Sequence, residues 1–345
     1  MNTAPRPGGW TALSQHDPTR PGAGAGRKGL MERGALVLEL AVPLRKAQVL
    51  LDYHAEADGW ERAFSILHDP ESGLTIRHRQ GKAVALHRLC GPLPAEPGIA
   101  QVILSFDAPA RHWKLSYCRP GSGTFLAATG EAPLPLPLDD LDRMCALSPL
   151  VRRHEAVLWF GATSQATPPC ASGWVHPQSR IATPSGFRQA GGLGPGDTVL
   201  LHDGSARGLR SVRHLDLPGR GSHTPVRLRA PYFVAGHDLL VSADLPVLLT
   251  GGDIEDIYGE PALLVAAQHL TDGFAAIFDT GHMVVRTVSL DVGAPAVVQG
   301  DGMAFLSASH TAGQNGPPPL RQLRGFEAMA LLAALNRGNT GWRAA

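Results

Sequence analysis

The sequence predicts a mainly β protein: an N-terminal antiparallel β-sandwich, then a second all-β domain, then a short C-terminal helix. Three observations lead there. Gly (40) and Pro (29) make up about a fifth of the 345 residues, against roughly 7% and 5% in average proteins, so turns are frequent and long helices few. Apolar and polar side chains alternate with a period of two in several stretches of the N-terminal half, the pattern of strands with one face on a core and one in water. A Pro-broken run of small and polar residues at 161–173 divides the chain near its middle, and the length is enough for two domains that each bury a core.

Residues 1–30 are rich in Pro, Gly and Arg and contain no apolar h-region. They are predicted to form a disordered arm and not a secretory signal. A sandwich is expected over 34–160. Ala35 to Val42 is an apolar run with a single charge, long enough for a buried strand. Leu74, Ile76 and His78 then alternate with Thr75, Arg77 and Arg79, Val102, Leu104 and Phe106 with Ile103, Ser105 and Asp107, and Trp113, Leu115 and Tyr117 with Lys114, Ser116 and Cys118. Turn signals separate them at Asp69-Pro70, Ser72-Gly73, Gly81, Pro92 to Pro97 and Ala108-Pro109. Six or seven short strands in about 110 residues suggest a β-sandwich, and the stretch is faintly similar to lectin- and laminin-G-like jelly rolls. Pro133 to Pro137 must be extended, Asp139 to Leu147 suits one short helix, and Val157 to Phe160 a closing strand. The linker 161–173 follows.

The second domain is placed at 174–308. Strands are predicted at Arg180–Ala182, Thr198–His202, Gly208–His214, Pro225–Arg229, Leu239–Val241, Val247–Leu249, Met283–Leu290 and Ala296–Val298, with a hairpin turn at Asp203-Gly204. Ala262 to His269 suggests one or two helical turns with Leu263, Ala266 and Ala267 inward. A linker is expected at 309–319. At 320–337 Leu320, Leu323, Phe326, Ala330 and Ala334 recur at spacings of three and four, predicting an amphipathic helix that docks this face on a sheet.

Four segments in this second half occur in a telling order: Ser179-Arg-Ile-Ala-Thr-Pro-Ser-Gly186, Gly194-Pro-Gly-Asp-Thr-Val-Leu-Leu201, Asp238-Leu-Leu-Val-Ser-Ala-Asp-Leu-Pro-Val-Leu-Leu249 and Leu263-Leu-Val-Ala-Ala-Gln-His-Leu-Thr-Asp-Gly273. Over about 170–308 the chain resembles the Hint (hedgehog and intein) domain. It is similar in particular to a bacterial branch reading "GTRIATPDG", "RPGDLVLT", "LLVSPQHRVLL" and "VPARHLVDG" at these places. The residues that carry the likeness are Ile181, Thr183, Gly186, Gly196, Asp197 and Ser242.

The resemblance implies self-processing chemistry. A Hint domain breaks the peptide bond in front of its own first residue, normally a Cys whose thiolate attacks the preceding carbonyl. A His on a later strand supplies the proton for the departing nitrogen. Here the matching positions depart from the pattern. Counting seven residues back from Ile181 lands on Trp174, which has no useful nucleophile, and Leu245 stands where "VSPQH" has its His. Gly293 replaces the His of a third segment, "DRHEVVFAEG". The weak substitutes are Cys170, usable only if the loop is four residues longer than usual, and His269, which matches the His of "ARHLVDG" and reads first as structural. His237 lies in a Gly-rich turn and His176 near the domain start. The leading expectation is a Hint domain degenerate for self-cleavage, acting as a binding or assembly scaffold. The alternatives are autoprocessing through displaced Cys170, and a glycan- or surface-binding module carried by the sandwich.

Other classes are excluded or disfavoured. Lys+Arg (31) and Asp+Glu (30) nearly cancel, so the chain lacks the basic excess that phosphate neutralisation requires and is not expected to bind nucleic acid. No apolar run is long enough for a spanning helix. Cys90, Cys118, Cys145 and Cys170 show no CxxC spacing, which argues against structural zinc and for buried or half-buried free thiols in a reducing compartment. His68, His78, His87 and His112 are scattered, and scatter of this kind reads as surface or half-buried His. Asp253, Glu255 and Asp256 read as a solvated acidic loop. No metal or cofactor is expected. The partner would be a protein or a glycan, and the location the cytoplasm or the outside by a leaderless route.

Overall fold

The computed structural model describes residues 9–14, 27–57, 59–120, 123–146, 149–165, 167–233, 236–310 and 316–335. Two compact units divide the chain, Met1–Pro169 with Arg220–Ser222, and Cys170–Gly219 with His223–Ala345. No helix among the described residues is long and apolar enough to cross a membrane.

The first unit is an antiparallel sandwich. One sheet runs in the order Ala12–Leu13, Val157–Thr163, Arg33–Val42, Gly98–Asp107, His112–Cys118 and Phe125–Glu131, and the other Val151–Arg153, Gln48–Ala57, Trp60–Asp69, Gly73–Gln80 and Ala83–Cys90. Period-two alternation places Leu104 opposite Leu115 and Phe106 opposite Trp113, and all four are buried in a core to which both sheets contribute. Gly130 is required where it stands, because a Cβ there would lie 2.4 Å from the Trp113 ring. The short helix Leu138–Cys145 covers the core with Leu138, Leu141 and Met144. Its Asp140 accepts a 2.7 Å bond from Tyr53 Oη, and this bond adds to burial in raising the Tyr53 pKa.

Several expectations for this half need correcting. Residues 9–14 fall within the expected disordered arm, yet Ala12–Leu13 pair with Gly161 and Ala162, and Trp10 is buried edge-on against Trp159; one indole supplies the apolar area that composition alone does not show. Residues 1–8 and 15–26 lie outside the described residues. The expected linker at 161–173 begins too early, since Gly161–Thr163 complete a strand and the units divide at 169/170. The single charge in the apolar strand, Glu39, is fully buried and accepts bonds from Trp159 Nε1 at 2.8 Å and Ser222 N at 2.9 Å. His68, His78 and His87 are buried on the core face and not half-exposed. Burial lowers the His78 pKa to about 3 and the His87 pKa to about 4. Among the described residues no group of three potential metal ligands forms. The four cysteines are free, Cys145 buried and Cys118 intermediate, but Cys90 and Cys170 are exposed.

The second unit is built from short antiparallel pieces. Hairpins pair Arg180–Thr183 with Gly186–Gln189 and Thr198–Leu200 with Ala206–Gly208. A longer pair joins Ser211–Pro218 to Val284–Asp291. Val226–Leu228 lies between Leu239–Val241 and Ala276–Phe278. A four-stranded sheet runs Ala262–Ala266, Pro246–Thr250, Ala304–Leu306, Val297–Gln299. One apolar cluster, from Val175 and Ile181 to Phe305 and Leu331, fills the interior.

Here too the structure overrides some local signals. Ala262–Ala266 is a strand with a 3-10 turn at Ala267–Leu270; partners on Pro246–Thr250 and the β-branched Val265 outweigh the alanines' helical preference. The acidic stretch is part of the helix Gly252–Tyr258 and not a loop. The C-terminal helix spans Gly325–Leu335 and starts five residues later than predicted. Residues 321–323 instead run beside Leu264, which donates to the Arg321 carbonyl and accepts from Leu323 N. Glu327 then accepts the Arg324 N–H at 2.8 Å, half of a capping box. The buried face is Leu323, Ala328 and Leu331, while Phe326 is 69% exposed. Residues 336–337 lie outside the described residues.

Candidate functional site

Of the three positions where Hint chemistry is expected, Gly293 lines a cleft of about 340 Å³ in the second unit, whose lining also includes Ser172, Gly173, Asp244, Asp291 and Ser307, the chain neighbours of Trp174 and Leu245 among them. The backbone around them is tightly specified. Val175 bridges Val241 on one side and Val288 on the other, so residue 174 is held at the junction of two strands. Trp174 N donates to Ser242 Oγ at 3.0 Å, and Trp174 O accepts from Ser242 N at 3.0 Å. Gly173 N donates to Asp244 Oδ1 at 3.3 Å. The N–H of the amide in front of residue 174 and groups on either side of it are thus held by Ser242 and Asp244.

The side chains at those positions face elsewhere or carry no chemistry. Trp174 is 2% exposed and packs with Leu217 and Val285. Leu245 is fully buried in the main core, closed over by the bond from Ala267 N to its carbonyl at 2.9 Å. Gly293 has φ 85°, a left-handed conformation that favours glycine and disfavours a bulky residue such as His; its N–H donates to Asp291 Oδ1 at 2.7 Å.

What lines the cleft is acceptor-rich. Asp244 and Asp291 are its carboxylates, and no histidine, cysteine or cation is among its described lining residues. Behind Asp291 sits a group the sequence reading did not single out. His310 N donates to Asp291 Oδ2 at 3.1 Å, and its ring nitrogens contact Ser211 Oγ at 2.6 Å and Ser289 Oγ at 2.9 Å. Burial, with Arg213 nearby, lowers the His310 pKa. Its only signal in the sequence is its place just after the last strand, inside the expected 309–319 linker. Residues 311–315 are outside the described residues.

The weak substitutes are not brought together. Cys170 is exposed, and among the described residues no hydrogen bond joins it to a histidine. His269 is half-buried with its ring 2.9 Å from where a Cβ at Gly325 would lie, a packing role at the start of the C-terminal helix. His237 is also half-buried. His176 accepts from Gln178 N at 3.3 Å, and burial lowers its pKa, assisted by His282 and Arg286.

The motif residues hold turns. Ile181 is fully buried, and Thr183 Oγ1 donates to the carbonyl of Gly186, whose φ is 106°. Gly196, at φ 90°, donates to Leu209 O at 2.8 Å. Asp197 accepts from Gly194 N at 2.9 Å and pairs with Arg188 at 3.0 Å. The Gly194 bond first, and Arg188 second, hold its carboxyl below the usual range.

Residues 175–312 match the Hint domain family. No curated protein matches the chain. Among solved structures, the CBM40 of a Ruminococcus gnavus IT-sialidase, bound to alpha2,3 sialyllactose, is 14% identical over 40% of this chain and 78% of that one, with a TM-score of 0.28. The MchDnaB-1 intein (N145AA) is 17% identical over 39% of this chain and 99% of that one, with a TM-score of 0.26. The family match falls on the segments that carry the motif residues, and on that ground residues 175–312 are a Hint domain.

Proposed function

We propose that this Hint domain does not cleave itself and serves as a binding or assembly scaffold, its acceptor-rich cleft taking a ligand where the family's reaction would occur. The observation that supports this reading is Trp174, an indole buried in apolar packing at the nucleophile position. With Leu245 at the proton donor's place, both halves of the reaction lack a reactive group. Losing the nucleophile of a covalent mechanism typically costs several orders of magnitude. Purified full-length protein, incubated with and without thiol, is expected to keep one intact mass. Two fragments divided near residue 170, stimulated by thiol and abolished by Cys170→Ala, would replace this reading with autoprocessing through the displaced cysteine.

A second reading concerns the first unit alone. It is a saccharide-binding module, favoured by a cleft on the sandwich that carries the exposed Trp60. A glycan array probed with the full chain tests it, and silence across neutral and acidic glycans would sink it.

A further inference from the structure

We propose that the first unit binds a saccharide bearing a carboxylate, in the cleft between Trp60 and the cations Arg27, Lys28, Arg62 and Arg143. This rests on reading that unit as a saccharide-binding module, and adds a location and a ligand class. The cleft holds about 540 Å³, inside the range of roughly 300–1,000 Å³ that small-molecule sites occupy.

Trp60 opens the strand Trp60–Asp69 and is 59% exposed. Its place is nevertheless fixed. A Cβ on Gly81 would come within 2.4 Å of Trp60 Cε3, so the indole lies directly on the glycine backbone. That turn is itself tied down by Gly81 N donating to Glu61 O at 2.7 Å. Tryptophan combines a large apolar surface with a polar edge, and here most of it stays in water at the rim of a cleft. The C–H face of a pyranose ring would cover that surface without requiring a deep apolar pocket.

The charges select among sugars. Four cations line the cleft against one carboxylate, Asp139. Three of them are aimed from behind by the helix Leu138–Cys145: Asp142 pairs with Arg27, Asp140 with Arg62 at 3.3 Å and Asp139 with Arg143 at 2.9 Å. A guanidinium has five N–H donors, so each fork is oriented by one carboxylate and retains donors for a second. Lys28 adds an exposed ammonium. Oriented guanidinium groups recognise carboxylates by paired, charge-assisted bonds. Each of the three arginines is matched by one of these carboxylates, so the net excess is the charge of Lys28, which a sugar carboxylate would answer and a neutral sugar would not.

The test is calorimetric titration of the full chain with trigalacturonate, paired with neutral maltotriose and backed by a wider glycan panel. Trigalacturonate is expected to bind at least about tenfold more tightly than maltotriose. Trp60→Ala should weaken it by about tenfold, while Trp60→Phe, which keeps a ring, loses less. Lys28→Glu should narrow the preference for the acidic sugar, as should raising salt from about 50 to 300 mM. Equal binding of the two trisaccharides overturns the ligand class. Undiminished binding of an acidic sugar by Trp60→Ala overturns the site while the saccharide reading survives. Failure of every glycan in the panel removes both.

Discussion

The two units solve the same problem, burying an all-β core, in opposite ways. In the first, strands reach ten residues and pair along their length. In the second, apart from the eight-residue pair Ser211–Pro218 and Val284–Asp291, strands have three to five residues. The loops between these short strands are held by side chains: Asp197 on Gly194, Asp272 on residues 274–276, Asp291 on Gly293 and His310, Ser242 on Trp174. Long ladders let the sandwich bury Glu39, His68, His78 and His87 without losing strand pairing. Short ladders put the Hint positions of interest into turns, where a reactive residue and an apolar one fit the same backbone. Trp174 and Leu245 occupy such places beside the turn at Ser242, and Gly293 stands at a positive φ that favours glycine.

The largest effect is expected from Trp174→Ala. It leaves the backbone bonds to Ser242 in place but empties a fully packed site, and should destabilise the second unit by about 3–5 kcal/mol. Chemical denaturation reads this, and a loss below about 1 kcal/mol would mean that residue 174 is not part of the core.

Acid should act through the buried histidines of the first unit. His78 and His87 are neutral in the fold, with pKa values lowered to about 3 and 4, whereas the unfolded chain takes up protons near 6.5. Their contribution is complete above about pH 6.5 and is lost as pH falls toward the folded values. Each histidine removes about 1.4 kcal/mol per pH unit in that window. Melting curves between pH 7 and 5 should show a steep decline, and His87→Leu should flatten it; a profile unchanged by that substitution would place the imidazole in water.

Ser242→Ala separates backbone anchoring from packing in the second unit. It orphans the Trp174 N–H and should cost about 1–3 kcal/mol, with slower-exchanging amides nearby in wild type than in the variant. The smallest effect belongs to Cys170→Ala. The exposed thiol should contribute less than about 0.5 kcal/mol, and the intact mass should change only by the lost sulfur.

Legibility in the sequence followed the same division. Alternation at Leu74–Arg79, Val102–Asp107 and Trp113–Cys118 located sandwich strands because burial on one face enforces a period of two over many residues. In the Hint domain, three-residue strands are too short to show a period, and family-like turns at Gly186, Gly196-Asp197 and Ser242 marked the fold instead. Local preference misled where a distant partner decided: Ala262–Ala266 became a strand beside Pro246–Thr250, and residues 321–323 were drawn out beside Leu264. Phe326 fits a helical stripe yet is exposed, because the helix Gly325–Leu335 buries the face of Ala328 and Leu331 instead.

The mainly β class and the Hint likeness were legible from the sequence, as were the identities of Trp174, Leu245 and Gly293, since residue identity and turn chemistry are local properties. It took the tertiary fold to bring Gly173, Asp244 and Gly293 to one cleft, to set His310 behind Asp291, and to rest Trp60 on Gly81 in a cleft shared with Arg27, Arg62 and Arg143. Each of these joins residues 19 to more than 100 apart in the chain, and such proximity is set by how strands pair and pack, which no local pattern encodes.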